Sequence, residues 1–127
     1  MDILCDTSFL IILVSAPIKQ DEIVESHFGK LNFLVPDIVI DELKQLEKRA
    51  GPKRSKLSST AIETSYSKFK IIKIFKSENV DKSLIEYAVN HGCAIATIDR
   101  ALRMQCITNN IPVITFSRNK LTVAAAL

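Results

Sequence analysis

The chain has 127 residues, which suits one domain with one hydrophobic core, and we expect residues 1–127 to form it. Apolar residues make up 47% of the sequence, which argues against a disordered protein, and three glycines are too few for the many tight turns of a β-sandwich or barrel. The net charge of +3 is mild, so the placement of the charges says more about partners than their sum.

The cysteines and the apolar stretches indicate the compartment. Phe9 to Val14 is the most apolar run near the N-terminus, and it is far shorter than the roughly 20 residues of a membrane span. Asp2 and Asp6 precede it, where a signal peptide would carry positive charge. No CxxC spacing occurs among the three cysteines, Cys5, Cys93 and Cys106. We therefore expect a cytoplasmic protein with no disulfide framework, no zinc site and no membrane association.

Hydrophobic spacing in the first half of the chain predicts strands that alternate with helices. Pro36 suits the first turn of a helix, where proline is well tolerated. The predicted elements are a strand at 1–5, a helix capped by Thr7 or Ser8, a short helix at 21–28, a strand at 32–35 and a helix from Pro36 to about residue 49.

The second half continues the alternation. Gly51-Pro52 is expected to open a basic loop. The elements predicted after it are a helix from Ser58 or Ser59 to about residue 69, a strand at 71–75, a helix from Asp81 to Gly92, a strand at 93–97, a helix from Asp99, a strand at 112–116 and an apolar tail at 122–127 that forms an edge strand or an interface. Strands separated by helices indicate an α/β fold with a mainly parallel sheet.

Two aspartates follow strands that the pattern predicts to be buried. Asp6 ends the run Ile3-Leu4-Cys5, and Asp99 ends the run 93–98. Parallel strands present their carboxyl ends to one edge of the sheet, where α/β proteins build their sites. The alternative role for each aspartate is to cap the helix that follows it.

Two further acids are candidates for the same site. Asp81 lies at a predicted helix start, where it could simply be the N-cap residue. Glu42 lies two turns into a helix, so capping cannot explain it; a solvated helix face is its alternative, and Asp41 is its rival. Four clustered carboxylates cannot all stay ionised without a cation, which indicates a divalent metal and phosphoryl-transfer chemistry.

A basic segment follows the helix that carries Glu42. Such a segment near an acidic site fits a polyanionic substrate, although a solvated loop is an equally ordinary explanation for a charge run. The candidate residues for binding such a substrate are Lys48, Arg49, Lys53, Arg54 and Lys56. The two histidines, His27 and His91, are expected to be structural, and no GxxxxGK[ST], GxSxG or HExxH motif is present.

Five blocks of the sequence, in this order, resemble the PIN domain family. Each block is weak alone, but together they cover nearly the whole chain with the family's spacing. Ile98 departs from the family pattern, in which asparagine is frequent at that position. The blocks are Ile3 to Ser8, Val35 to Leu43, Asp81 to Ala88, Ala96 to Arg103 and Ile111 to Ile114.

This resemblance implies a three-layer α/β/α fold and a Mg²⁺- or Mn²⁺-dependent endoribonuclease. It assigns catalytic and metal-binding roles to Asp6, Glu42, Asp81 and Asp99, and it favours Glu42 over Asp41. Ser8 and Thr97 are expected to support the site through hydrogen bonds. The implied partners are RNA and a second copy of the chain in a homodimer.

Two branches of the family fit the sequence. One contains nucleases that process ribosomal RNA and their small archaeal relatives, and the segments 48–56 and 116–120 resemble it more. The other contains the toxins of VapBC pairs, which would add an antitoxin partner. A catalytically inactive PIN-type module that binds RNA or protein is a further alternative. A phosphate-accepting receiver domain is disfavoured because Asp6 is followed by Thr7-Ser8 rather than by a second acid.

Overall fold

The computed structural model of the chain describes residues 1–16, 29–118 and 120–123. The strands in these ranges are β1 (Asp2–Cys5), β2 (Asn32–Pro36), β3 (Lys70–Ile72), β4 (Ala94–Ala96), β5 (Val113–Ser117) and β6 (Lys120–Val123). The helices are α1 (Thr7–Ser15), α2 (Asp37–Arg49), α3 (Pro52–Lys68), α4 (Val80–His91) and α5 (Arg100–Thr108). The helix predicted at 21–28 and the end of the apolar tail lie outside the described residues.

The strands form one sheet in the order β3-β2-β1-β4-β5-β6. Every neighbouring pair is parallel except β5 and β6, which are antiparallel. The central strands β1 and β4 are continuous apolar runs because both of their faces are covered, and Leu4 and Ile95 are fully buried partners across them. The predicted α/β fold with a mainly parallel sheet is confirmed.

The helices cover the two faces of this sheet. α1, α2 and α3 pack against one another, and α4 and α5 form a second packed group. The chain builds β2 and β3 on one side of β1, then returns to build β4 and β5 on the other. Right-handed crossovers in opposite directions place the two helix groups on opposite faces. None of the described helices has both the length and the apolar character needed to cross a lipid bilayer.

The start of α3 differs from the sequence prediction. We expected a loop after Gly51 and a helix from Ser58 or Ser59, but α3 begins at Pro52 with Gly51 as its N-cap. Proline at the first helical position has its φ angle preset and lacks only an N–H that would be unpaired there. Ser58 lies inside the helix, where its hydroxyl donates to the Arg54 carbonyl at 2.8 Å instead of capping an end.

Near β3 and α4 the structure shortens one predicted strand and decides one alternative that the sequence left open. The strand predicted at 71–75 is Lys70–Ile72, because the Ile74 N–H donates to the Asp37 carboxylate rather than to a neighbouring strand. Asn79, not Asp81, is the N-cap of α4, and its side chain accepts from the Lys82 N–H at 2.8 Å. The simplest alternative role for Asp81 is therefore excluded.

Candidate active site

The site lies where the order of the strands reverses, at the carboxyl ends of β1 and β4. These two strands are adjacent, and their last paired residues are Cys5 and Ala96. The N–H of the next residue, Asp6, donates to the Ala96 carbonyl at 3.1 Å. Such a reversal leaves a crevice at the carboxyl edge, because the flanking connections diverge to opposite faces. The neighbouring positions predicted for the strands before Asp6 and Asp99 are confirmed.

Asp6 is buried and fully hydrogen-bonded. It is the N-cap of α1, and its Oδ1 accepts from the Phe9 N–H at 2.8 Å. The Ser8 hydroxyl lies 2.9 and 3.0 Å from its two carboxylate oxygens, and the Thr97 hydroxyl donates to Oδ2 at 2.5 Å. Burial raises the pKa of the Asp6 carboxyl to about 6, although these hydrogen bonds act to lower it.

Two hydroxyl groups connect the ends of β1 and β4. Thr97 is fully buried, and its Oγ1 both donates to Asp6 and accepts from the Asp99 N–H at 2.9 Å. Ser8 accepts from the Ile98 N–H at 3.1 Å while it donates to Asp6. The supporting residues predicted from the sequence therefore make the contacts that a positioning role requires.

Asp99 lies at the exposed end of this network. It is the N-cap of α5, and its Oδ1 accepts from the Leu102 N–H at 3.0 Å. Capping and a role in the site are compatible, because a carboxylate has several acceptor positions on two oxygens. The two aspartates at the strand ends are thus held in place by the helices that they cap.

Glu42 extends from α2 toward the carboxyl end of β1, where Asp6 lies. It is half-buried, and the Thr7 hydroxyl of α1 donates to its Oε1. Its neighbour Asp41 is exposed and lines the same surface cavity as Glu42. Sequence reasoning missed Thr7, although its place directly after Asp6 at the start of α1 was the available indication.

Asp81 is linked to the other three acids by its electrostatics. It lies in the first turn of α4 and is half-buried. Burial raises the pKa of its carboxyl, and the negative charges of Asp99 and Glu42 raise it further. Asp81 in turn contributes to the raised pKa of Asp6. Asp81 therefore lies close enough to each of the other three acids for their charges to interact.

The ligand set fits a hard divalent cation. Across the described part of the chain, no three His, Cys, Asp or Glu side chains are arranged closely enough to hold a metal ion by themselves. Mg²⁺ usually keeps several waters and binds through one or two carboxylates together with substrate phosphates, so it does not require a complete protein cage. Burial is the main cause of the raised pKa of Asp81, and a cation would offset the repulsion from Asp99 and Glu42 that adds to it, which supports the fit of these residues to Mg²⁺ or Mn²⁺.

The cysteines and His91 take no part in this chemistry. All three cysteines are buried, and burial raises the pKa of the thiols of Cys5, Cys93 and Cys106, so none is a ready nucleophile. His91 stacks on Tyr87 with ring centroids 3.9 Å apart at the C-terminal end of α4, away from Asp81. His27 lies outside the described residues.

The predicted RNA-binding residues divide into two groups. Lys48 and Arg49 line a cavity of about 440 Å³, together with Lys44 and Lys76, which the sequence analysis missed. A second cavity of about 220 Å³ contains Glu42 and shares Lys76 with the first. The remaining three residues line neither cavity and are exposed on the first turns of α3 instead of on a loop: Lys53, Arg54 and Lys56.

Three known structures share this fold, and one of them is named as an endonuclease. The PIN domain endonuclease Utp24 matches with a TM-score of 0.74 and 18% identity over 99% of this chain and 92% of that one. A domain of a functionally unknown protein from Methanocaldococcus jannaschii matches with a TM-score of 0.61 and 14% identity over 99% and 98% of the two chains. PAE2754 from Pyrobaculum aerophilum matches with a TM-score of 0.50 and 20% identity over 80% and 77%.

The sequence itself identifies the family. No curated protein matches the chain. The family model of the PIN-like domain matches residues 3–120, which include all four acids and both helix groups around the sheet. The chain therefore belongs to the PIN-like domain family.

Proposed function

We propose that this protein is a Mg²⁺- or Mn²⁺-dependent endoribonuclease. One observation carries the proposal: Thr97 joins Asp6 to the backbone of Asp99 at the ends of adjacent strands, and the pKa of the nearby Asp81, which burial raises, is raised further by Asp99 and Glu42. Acids that only cap helices or lie on a solvated surface would not be expected to come together from four separate parts of the fold. Clustered groups with raised pKa values at a sheet edge are typical of a catalytic site.

The four acids share one task in this proposal, and hydroxyl groups orient two of them. Asp6, Glu42, Asp81 and Asp99 would hold the cation, which supplies Lewis-acid stabilisation for in-line hydrolysis of a phosphodiester when bound. Thr97 and Ser8 fix the direction of the Asp6 carboxylate through their hydroxyl groups. Thr7 does the same for Glu42, so hydroxyl groups orient an acid on each side of the site.

Cationic side chains beside the site would hold the RNA. Lys48 and Arg49 line the larger cavity, and Lys76 connects it to the cavity that contains Glu42. We propose that these residues bind phosphates near the cleavage position, and that the exposed cations at the start of α3 bind phosphates further away: Lys53, Arg54 and Lys56.

Within this activity we propose a role in the processing of ribosomal RNA. The likeness of segments 48–56 and 116–120 to the processing branch of the family supports this choice over a toxin. The Utp24 domain with the same fold is itself a PIN domain endonuclease. An antitoxin gene directly upstream, or cleavage restricted to other RNAs, would instead support the toxin branch.

Cleavage assays with the Asp99→Asn protein test the proposal. Asparagine retains a side-chain oxygen for the Leu102 N–H, so α5 stays capped while one negative charge is lost. We expect the natural protein to cleave structured ribosomal RNA in Mn²⁺ and not in EDTA, and the variant to lose cleavage with an unchanged unfolding curve. Undiminished cleavage by the variant would contradict the assignment, and absence of a metal effect would favour an inactive binding module.

A further inference from the structure

The loop between β3 and α4 exposes an aromatic side chain beside the acidic site. Phe75 is 86% exposed, the highest value among the large apolar side chains of the described ranges. Its neighbour Ile74 is 6% exposed, so the backbone turns Phe75 outward while it buries the preceding residue. An apolar ring in water is unfavourable, which makes its position worth explaining.

The loop is fixed on both sides of Phe75. On one side, the Ile74 N–H donates to Asp37 Oδ1 of α2 at 3.2 Å. On the other side, the Ser77 N–H donates to the Ser83 hydroxyl of α4 at 2.8 Å. Phe75 and Lys76 therefore extend from a short segment that is tied to two different helices.

Lys76 places this loop at the cationic side of the site. It lines the cavity that contains Glu42 and also the cavity formed with Lys44, Lys48 and Arg49. Among the residues that the structure describes, the only ion pair is Lys82 with the Glu78 carboxylate at 3.0 Å. Within the described ranges the cations beside the loop form no ion pair, although the Asp41 carboxylate lines the same two cavities, and they can therefore contact an external anion.

We infer that Phe75 stacks on an unpaired base of the RNA while Lys76 contacts an adjoining phosphate, so that the substrate is single-stranded where it passes this loop. Aromatic faces combined with a cationic groove bind single strands in this way, and a paired base has no free face to offer. A protein partner is less well supported, because one ring among lysines is not an extended apolar patch. The inference rests on the proposed ribonuclease function.

Binding measurements in EDTA test this inference without any cleavage. The probe is a short oligoribonucleotide that contains 2-aminopurine, used alone and paired with its complement. We expect Phe75→Ala to weaken binding of the single strand about tenfold and binding of the duplex very little, because the stacking contact is lost. Phe75→Trp should retain tight binding and quench 2-aminopurine fluorescence. Lys76→Ala should weaken both forms and reduce the dependence of binding on salt by about one ion.

Tyr66→Ala is the matched control. Tyr66 is 58% exposed on α3 and lines neither cavity, so its loss should leave single-strand binding unchanged. Wild-type affinity of Phe75→Ala for the single strand would overturn the inference. An equal loss for single strand and duplex would also overturn it.

Failure of the inference and failure of the proposed function give different results. A natural protein that cleaves RNA, together with a Phe75→Ala variant that binds and cleaves like it, contradicts the stacking role alone. A natural protein that never cleaves with Mn²⁺, but that loses single-strand binding on Phe75→Ala, contradicts the ribonuclease function alone. A natural protein that binds no RNA contradicts both.

Discussion

The two halves of the acidic site are built by different means. Asp6 and Asp99 lie at the ends of adjacent strands, where each caps a helix and the Thr97 hydroxyl joins them. Glu42 and Asp81 lie within helices and cap nothing. The strand-end half is held by backbone hydrogen bonds, whereas the helical half depends on where two helices are placed. A substitution of Asp6 or Asp99 can therefore change both the stability of a helix and the acidic site, whereas a substitution of Glu42 or Asp81 should change mainly the site.

The largest effect that would test this comparison is the loss of Glu42. Glu42→Gln keeps the length of the side chain and its acceptor for Thr7, but it removes a charge from the site. We expect RNA cleavage to fall roughly a thousandfold, equivalent to about 4 kcal/mol, with little change in stability. Asp41→Asn is the matched control on the exposed neighbour, and single-turnover cleavage in Mn²⁺ measures both. Equal losses for the two variants would contradict the assignment of Glu42.

Asp6 should affect stability in a way that depends on pH. Its pKa rises from 3.8 to about 6 on burial, so the folded protein binds this proton more tightly than the unfolded chain does. The stability from Asp6 is therefore present below pH about 4 and is lost as the pH rises through about 6. Relative to the natural protein, Asp6→Asn should gain up to about 3 kcal/mol between these limits. Urea unfolding in EDTA across this range measures the gain, and a constant difference would contradict the raised pKa.

Thr97 should contribute to stability through its hydroxyl group. Thr97→Val keeps the shape of the buried side chain but removes its hydrogen bond to Asp6 Oδ2, which retains only the Ser8 hydroxyl. It also leaves the Asp99 N–H without its partner. We expect a loss of about 2 kcal/mol in the free energy of unfolding, together with slower cleavage. Thr97→Ser, which keeps the hydroxyl, should retain most of the cleavage rate. Thermal and urea unfolding of both variants show whether loss of the hydroxyl group or loss of the methyl group lowers the free energy of unfolding more.

The smallest expected effect concerns the helical half. Asn79→Ala removes the N-cap of α4, which costs about 1 kcal/mol and frays the turn that carries Asp81. Glu78→Ala is the control: it removes only the exposed ion pair with Lys82, so a change of at most about 0.5 kcal/mol is expected. Cleavage should fall for Asn79→Ala and stay constant for Glu78→Ala. The same cleavage rate for both variants would indicate that the position of Asp81 does not depend on the N-cap of α4.

The sheet could be predicted because its central strands are uninterrupted apolar runs. Ile3-Leu4-Cys5 and Ala94-Ile95-Ala96 are fully buried, and only a strand covered on both faces gives that pattern. The positions of Asp6 and Asp99 followed from strand ends alone. The roles of the four acids, the metal, the dimer and the antitoxin partner stay predictions.

The local errors have physical causes that composition does not reveal. In the sequence Ser58 resembles a helix cap, but in the structure its hydroxyl donates to the Arg54 carbonyl inside the helix. Ile74 belongs to an apolar run, but a bond to Asp37, which is 37 residues away, ends β3 before it. The contact between Thr7 and Glu42 likewise joins residues 35 apart. Contacts of this kind depend on the packed fold, so a pattern with a period of a few residues carries no trace of them.

Asp6 and Asp99 both cap a helix and belong to the candidate site, and this combination has a consequence for related sequences. A relative without enzymatic activity would still need a capping side chain at both positions to begin α1 and α5, so substitutions there would be limited mainly to aspartate, asparagine, serine and threonine. Glu42 and Asp81 have no such protection and should disappear first. Among sequences of this kind, the pair within the helices is therefore the better marker of a working enzyme, and the pair at the strand ends records mainly the ancestry of the fold.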